Sequence, residues 1–182
     1  NYGAAPDLQV SVAIPMAFTR SAGETRTGAG DLELSAKYRF YHDEQAGVSI
    51  AFFPGLTLPT ATKHPGAGRV TGLLPVWAQK DIGPWSIFGG GGYAINPGAD
   101  NQDYWTGGLA VTREIGPGTL LGIEADRQGP DAVGARAETS LGFGAIQKLG
   151  GPFRILASGG PTFIDGSRKA GFHAFVAIGA DF

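Results

Sequence analysis

Residues 30–40, GDLELSAKYRF, alternate between charged and apolar side chains at every second position. Successive side chains of a β-strand point to opposite faces, so this pattern predicts a strand with one charged face and one apolar face. The same two-residue period recurs over residues 7–19 and 171–182. A helical period is hard to find along the chain. We therefore expect an all-β protein.

The alternation divides residues 1–182, which we take as a single domain, into ten predicted strands. They lie near residues 7–19, 29–42, 46–59, 69–80, 84–96, 104–115, 118–128, 134–148, 152–163 and 171–182. Most exceed the usual soluble strand of about 5–6 residues. They suit the roughly 9–11 residues that a tilted strand needs to cross a bilayer.

The predicted connections alternate in length along the chain. Longer, polar, glycine-rich segments lie at 21–28, 61–68, 97–103, 129–133 and 165–170, and tight turns at 43–45, 81–83, 116–117 and 149–151. Outer-membrane barrels combine short periplasmic turns with longer outer loops. This alternation predicts an up-and-down antiparallel transmembrane β-barrel of ten strands.

Aromatic residues fall near both ends of the predicted strands. Those at the short-turn ends are Tyr38, Phe40, Trp85 and Phe182, and those at the long-loop ends are Phe18, Tyr93, Tyr104 and Trp105. Two aromatic belts are typical of membrane interfaces, although aromatics also favour strands in general. A soluble barrel with an apolar interior is the alternative. We favour a barrel surrounded by lipids in the outer membrane of a Gram-negative bacterium, with Phe182 recognised by the outer-membrane assembly machinery.

Composition narrows the classes of function. The 14 Lys and Arg residues nearly balance 16 Asp and Glu residues, which argues against a nucleic-acid partner. The three histidines, His42, His64 and His173, are predicted to lie apart, and there is no GxSxG motif or metal-ligand spacing. We expect no cofactor and no enzyme activity. A lipid-acting barrel enzyme that uses His173 and a neighbouring serine is a weaker alternative.

The charged face supplies the candidate functional residues. They are Asp31, Glu33, Lys37, Arg39, Glu124, Asp126, Arg136, Glu138, Arg154 and Asp181. In a barrel they would line the lumen, either as a selectivity lining or as a salt-bridge network that plugs it. We expect Arg136 to neutralise an acidic outer zone around Glu124 and Asp126, and Lys37 and Arg39 to form a basic inner zone.

Residues 87–96, IFGGGGYAIN, contain a run of glycines. The run lacks the GxxxxGK[ST] pattern and the helix that follows it in a phosphate-binding loop. Consecutive glycines inside a strand indicate strong curvature or the close approach of an inner side chain. We expect this structural role.

Three segments resemble the bacterial outer-membrane barrels of the meta-pathway phenol-degradation transporter family. They are GDLELSAKYRF at 30–40, GLTLPTA at 55–61 and WAQKDIGPWSIFGGGGYAIN at 77–96, with Ala61 in place of the family's glycine. The resemblance is strongest over residues 30–96. Because residues 1–15 resemble an internal family segment, it implies a complete barrel of up to twelve strands.

The resemblance implies a channel or transporter for small cargo molecules of aromatic or apolar character. A structural or interaction barrel with a plugged lumen is the alternative. The family has no catalytic residues that carry over to this chain.

Overall fold

The computed structural model describes residues 2–21, 24–61 and 68–180, and it consists of β-strands joined by turns and loops. The strands are β1 Tyr2–Ala5, β2 Leu8–Ala13, β3 Met16–Ser21, β4 Glu24–Ala29, β5 Leu32–Asp43, β6 Val48–Phe52, β7 Gly55–Leu58, β8 Thr71–Ile82, β9 Trp85–Ile95, β10 Tyr104–Gly116, β11 Thr119–Gln128, β12 Glu138–Gly150, β13 Phe153–Ile164 and β14 Ala170–Ala180.

Twelve strands form one antiparallel meander sheet, in the order β1-β2-β5-β6-β8-β9-β10-β11-β12-β13-β14, with β7 pairing with β5 and β8. β3 and β4 form a separate two-stranded hairpin between β2 and β5. The predicted all-β antiparallel meander is confirmed. Within the described residues no ladder joins β1 to β14, so closure into a barrel is not observed.

Prolines divide two of the predicted strands. The strand predicted over 7–19 breaks after β2, where Pro15 provides no N–H and its carbonyl accepts the Gly30 amide at 2.7 Å. The strand predicted over 46–59 breaks between β6 and β7, where the Ala36 amide donates to the Pro54 carbonyl at 3.0 Å. Hydrogen bonds therefore continue across both breaks.

The predicted strand count and one predicted loop were wrong. β1 was missed because its four residues, YGAA, carry no polar–apolar alternation. The segment 21–28 is largely strand, since β3 and β4 pair from Met16↔Ala29 to Ser21↔Glu24. The strand predicted from residue 134 begins only at Glu138, after the loop in which Gly134 has φ +78°. β8 to β11, β13 and β14 lie within two residues of their predicted bounds.

The pairing register defines two faces of the sheet, because directly paired residues share a face. One row of partners runs across seven ladders through Arg39, Ala51, Trp77, Gly90, Gly108, Asp126, Ser140 and Thr162. We call the face that carries this row the charged face and the opposite face the apolar face. A bulge after Arg39 makes Phe40 the extra residue, so Tyr41 pairs with Ile50 on the apolar face and His42 with Ser49 on the charged face.

Few side chains are buried between layers. Among the described residues, Ala94 is 5% exposed and Pro75 is the largest fully buried side chain. Large apolar side chains of the apolar face are instead exposed, such as Trp105 at 70% and Val176 at 70%. No second layer covers them in the described part of the chain.

Candidate functional site

The charged face carries most of the predicted lumen residues. Register places Glu33, Lys37, Arg39, Glu124, Asp126, Glu138 and Arg154 together on it. Asp31 immediately precedes β5, and Arg136 lies in the loop before β12. Asp181 lies outside the described residues, as do Phe182 and His64.

An aromatic pair lies in the middle of the charged face. The rings of Trp77 on β8 and Phe88 on β9 stack with centroids 4.9 Å apart and planes 10° from parallel. A Cβ built on Gly90 would overlap the main-chain oxygen of Val76 and lie 2.9 Å from Cε3 of Trp77, so the glycine leaves room for both the β8 main chain and the indole. This is the close approach that the glycine run predicted. The identity of the approaching ring was not evident from the sequence.

A concave pocket of about 800 Å³ opens on one side of this pair. We call it the Lys37 pocket. Its wall includes Lys37, Arg39, His42, Trp77 and Phe88. It lies between the start of β2 and the parts of β5, β6, β8 and β9 near their tight turns.

The charges in the Lys37 pocket are not equally compensated. Nη2 and Nε of Arg39 each lie 2.8 Å from Oδ1 of Asp7. The Asp81 carboxylate accepts hydrogen bonds of 3.0 and 3.1 Å from Gln79. The Lys37 ammonium has no ion-pair or hydrogen-bond partner in the described part of the chain. Lys37 is therefore the cation available to a ligand.

His42, on the rim of the same pocket, is held by its neighbours. Its Nδ1 shares a 2.9 Å hydrogen bond with Oγ of Ser49, and its Nε2 lies 3.7 Å from Oε1 of Glu44. The Glu44 side chain is 90% exposed. His42 is thus oriented by the hydrogen bond at Nδ1, while the Glu44 carboxylate lies near its Nε2.

Acidic residues lie on the other side of the aromatic pair. A recess of about 120 Å³ is lined by Trp77, Phe88, Gly108, Glu124 and Asp126. The Glu124 carboxylate lies across Gly142, because a Cβ there would be 2.5 Å from Oε1. The aromatic pair thus stands between the Lys37 pocket and two carboxylates.

Two arginine side chains contact Asp165, which lies in the loop after β13. Nη2 of Arg127 lies 2.6 Å from Oδ2 of Asp165, and this hydrogen-bonded ion pair lowers the pKa of the Asp165 carboxyl. Arg136 donates from Nη1 to the main-chain carbonyl of Asp165 at 3.1 Å. The sequence placed Arg136 beside Glu124 and Asp126, but its observed hydrogen bond is with Asp165. The Arg127–Asp165 pair was missed, since 38 residues separate the two.

The loops after β9 and β11 are joined by hydrogen bonds. Nδ2 of Asn96 donates to the Asp131 carbonyl at 2.8 Å, and Nε2 of Gln102 donates to the Pro130 carbonyl at 2.9 Å. The Asp103 carboxylate accepts hydrogen bonds from the main-chain N–H of Asn96 at 2.8 Å and from the Tyr93 hydroxyl at 3.1 Å. These hydrogen bonds connect the loops that form the rim at the long-loop end of the sheet.

Two further residues that were predicted to line the lumen, Asp31 and Arg154, contact neighbouring segments of the chain. Asp31 is only 6% exposed, and its Oδ1 accepts the Ala61 amide at 3.0 Å. It therefore fixes the segment that follows β7. Arg154 lies across Gly179 of β14, because a Cβ there would be 2.8 Å from its Nε.

The environment of His173 does not resemble a catalytic triad. Its Nδ1 shares a 3.2 Å hydrogen bond with Oγ1 of Thr162, which is also 3.2 Å from Oγ of Ser140. The threonine separates the serine from the imidazole, whereas a hydrolase needs the two in direct contact. Among the described residues, no group of three or more potential ligands could hold a metal ion. No helix in that part of the chain is long and apolar enough to cross a membrane.

The sheet and its two unlike faces define an all-β antiparallel meander protein. The family model described as "Putative MetA-pathway of phenol degradation" matches residues 2–174, and the chain belongs to this family. The resemblance found over residues 30–96 is thereby confirmed and extends over nearly the whole chain.

No curated protein matches the chain. Among solved structures, a porin refined at 1.8 Å resolution is similar, with 15% sequence identity and a TM-score of 0.49. The match covers 98% of this chain and 59% of the porin chain. The chain thus spans well under two thirds of the length of that porin.

Proposed function

We propose that the chain forms the wall of an outer-membrane β-barrel through which small aromatic or apolar molecules pass. The observation that carries this proposal is the inverted sheet. Large apolar side chains are exposed on one face, and most of the charged strand residues lie on the opposite face. In water this arrangement is unfavourable, whereas a membrane barrel requires it.

The extent of the apolar face supports a lipid environment. Its most exposed members include Val12, Leu56, Trp105, Leu109, Ile123, Phe143, Phe172, Val176 and Ile178. They are spread from β2 to β14 rather than gathered in one patch. Soluble monomers rarely expose apolar patches above a few hundred Å². Lipid tails would cover the whole face without any packed protein layer.

Aromatic residues near the strand ends add support. On the apolar face, Trp105 packs edge-on against Tyr93 with centroids 5.2 Å apart, beside the long loops. At the opposite end, the Arg113 guanidinium lies 5.1 Å from the Trp85 ring centroid, next to a tight turn. Both pairs suit the interfacial belts of a membrane barrel, where rings and long cationic side chains meet headgroups. Tyr104 pairs with Ala94 and so faces the charged side instead.

The proposal requires a closed sheet. An open strand edge leaves N–H and C=O groups without partners, and each such group costs several kcal/mol in hydrocarbon. In a membrane the free edges of β1 and β14 must therefore pair with each other or with further strands. The charged face would then surround the lumen, and Glu33, Lys37, Glu124 and Asp126 would be in contact with its water.

Planar-bilayer recordings on the refolded protein test the proposal. Stable, voltage-tolerant conductance steps are expected, together with faster entry of phenol into liposomes that contain the protein than into protein-free liposomes. The control is refolded protein that carries Val176→Arg on the apolar face and an intact charged face, since it should insert less efficiently than the original chain. Insertion into bilayers without conductance would favour a plugged structural barrel. Failure to insert at all would contradict the membrane assignment.

A further inference from the structure

We propose that the Lys37 pocket is a binding site for small aromatic acids, in which Trp77 receives the ring and Lys37 the carboxylate. This inference refines the proposed function, on which it rests, by specifying a negatively charged cargo. A pocket of about 800 Å³ is within the usual range for small-molecule sites, which are mostly apolar with a few convergent polar groups. Its wall combines exposed ring surface with one available cation.

The aromatic platform is built by neighbouring strands. Trp77 and Phe88 present their stacked rings on the charged face, where most other members are polar or glycine. Phe88 is 39% exposed, which is costly for a phenyl group in a water-filled lumen. A planar ligand stacked on the pair would remove that surface from water. Offset stacking between rings contributes about 0.5–1.5 kcal/mol beyond burial.

Space for the ligand comes from a short side chain. Ala51 stands between Arg39 and Trp77 in the row of paired residues that crosses the sheet. A larger residue there would fill the floor of the pocket. With alanine, a ring that lies against Trp77 can extend toward β5.

Lys37 is the cation on this side with which a ligand carboxylate can pair. Asp7 is already paired with Arg39, and the Asp81 carboxylate, which keeps its negative charge, accepts two hydrogen bonds from Gln79 at the end of β8. Lys37 lies two residues before Arg39 and therefore on the same face. Its ammonium would gain a charge-assisted hydrogen bond from a carboxylate ligand. A neutral phenol would leave this cation without an ionic partner.

The carboxylates beyond the aromatic pair set the orientation. Glu124 and Asp126 line the recess on the far side of Trp77 and Phe88. They would repel a ligand carboxylate, which therefore points toward β5. Charge on the two sides of one aromatic platform thus fixes which way the ligand lies.

Isothermal titration of the detergent-refolded chain tests this site with four matched probes. Benzoate carries both ring and charge, benzyl alcohol the ring alone, and cyclohexanecarboxylate the charge alone, while benzylammonium reverses the charge. Benzoate is expected to bind tightest. Equal binding of benzoate and cyclohexanecarboxylate would exclude the aromatic contact, and tighter binding of benzylammonium would exclude the cationic one.

Substitutions test which residue makes each contact with the ligand. Lys37→Gln should weaken benzoate binding by about three- to fivefold, the upper part of the range for a solvent-exposed ion pair, and leave the affinity for benzyl alcohol unchanged. Lys37→Arg should retain benzoate binding. Lys148→Gln, which removes another cation of the same face, is the matched control. Trp77→Leu should weaken the binding of benzoate and of benzyl alcohol equally. Trp85→Leu, on the apolar face, should change neither affinity. Benzoate affinity unchanged by Lys37→Gln would overturn the proposal.

The binding assay is independent of transport. Benzoate binding that depends on Lys37 and Trp77 in a protein without conductance would retain this site and reject the channel. Conductance without any preference for benzoate over benzyl alcohol in binding would retain the channel and reject this site.

Discussion

Arg127, at the end of β11, and Asp165, after β13, form an ion pair with 2.6 Å between Nη2 and Oδ2. The pair joins the ends of two strands that are not neighbours, since β12 lies between them. Arg136 binds the main chain of the same aspartate. One short loop thus fixes two segments of the rim.

The stability of this rim should depend on pH. The ion pair lowers the pKa of Asp165 in the folded state, so its contribution is full above the ordinary carboxyl pKa of about 3.9 and is lost as pH falls through the lowered value. Asp165→Asn should therefore lower the melting temperature slightly at pH 7 and have little effect at pH 2. Asp100→Asn, in the loop after β9, is the control. An equal decrease at both pH values would contradict the role of the pair.

The two faces make opposite predictions for an introduced charge. Val176 and Ala177 are consecutive on β14, and they pair with Ala157 on the apolar face and Leu156 on the charged face. Val176→Arg should cost about 2–4 kcal/mol if that residue meets lipid near the midplane. Ala177→Arg should cost much less. Urea unfolding in lipid vesicles measures both, and equal damage would argue against the assignment of faces.

Charges of the charged face should set ion selectivity if the barrel conducts. Glu33→Gln should lower the preference for cations, and Lys37→Gln should raise it. Both shifts should shrink at high salt as screening increases. Reversal potentials measure them, with Arg113→Gln on the apolar face as control. Arg136→Gln should have little effect beyond loosening the rim, because its partner is a loop carbonyl. Unchanged reversal potentials in both charged-face variants would contradict a selectivity lining formed by these charges.

Gly90 should tolerate no side chain. A Cβ at this position would overlap the main-chain oxygen of Val76 and lie 2.9 Å from both Cα and Cε3 of Trp77. Gly90→Ala should therefore displace the β8 main chain together with the indole and cost about 1–3 kcal/mol, as overpacking does. Gly116→Ala is a matched control, because no atom lies within 4 Å of a Cβ built there. Near-ultraviolet circular dichroism would report the altered tryptophan environment. An unchanged spectrum would refute this packing role.

Phe182 gives a prediction about assembly in cells. If Phe182 is recognised by the outer-membrane assembly machinery, deleting it should lower the amount of assembled protein while detergent refolding stays intact. Heat-modifiable gel mobility of membrane fractions measures the first effect. Comparable surface levels with and without Phe182 would remove this support for the compartment.

The sequence predicted the faces better than the ends of strands. Two-residue alternation assigned Leu34, Ile123 and Val176 to one face and Glu33 and Glu124 to the other, and the observed register agrees. It could not show that Pro15 and Pro54 divide their strands, because proline at a strand edge leaves the alternation intact. Side-chain partners such as Arg39 with Asp7 depend on register between strands, which a single strand's pattern does not contain.

The candidate site, like the fold, was predictable where it depends on a local pattern and not where it depends on pairing between strands. The charged residues were found from the sequence because their period is local. The stacking of Trp77 on Phe88 was not found, since it depends on the pairing of Gln79 with Phe88 and of Trp77 with Gly90. Glycine-rich strands specify register weakly by themselves, and here the large neighbouring ring is the feature that distinguishes one pairing from the next.

From β8 to β14, each ladder joins strands that are consecutive along the chain. Few side chains are packed between layers in the described residues. Adding or removing one hairpin in this region would therefore leave every other ladder intact and require no rebuilt interior. The circumference of such a wall can change by whole hairpins through duplication or deletion in the gene, while the remaining strands keep their faces and only the strands beside the change acquire new partners.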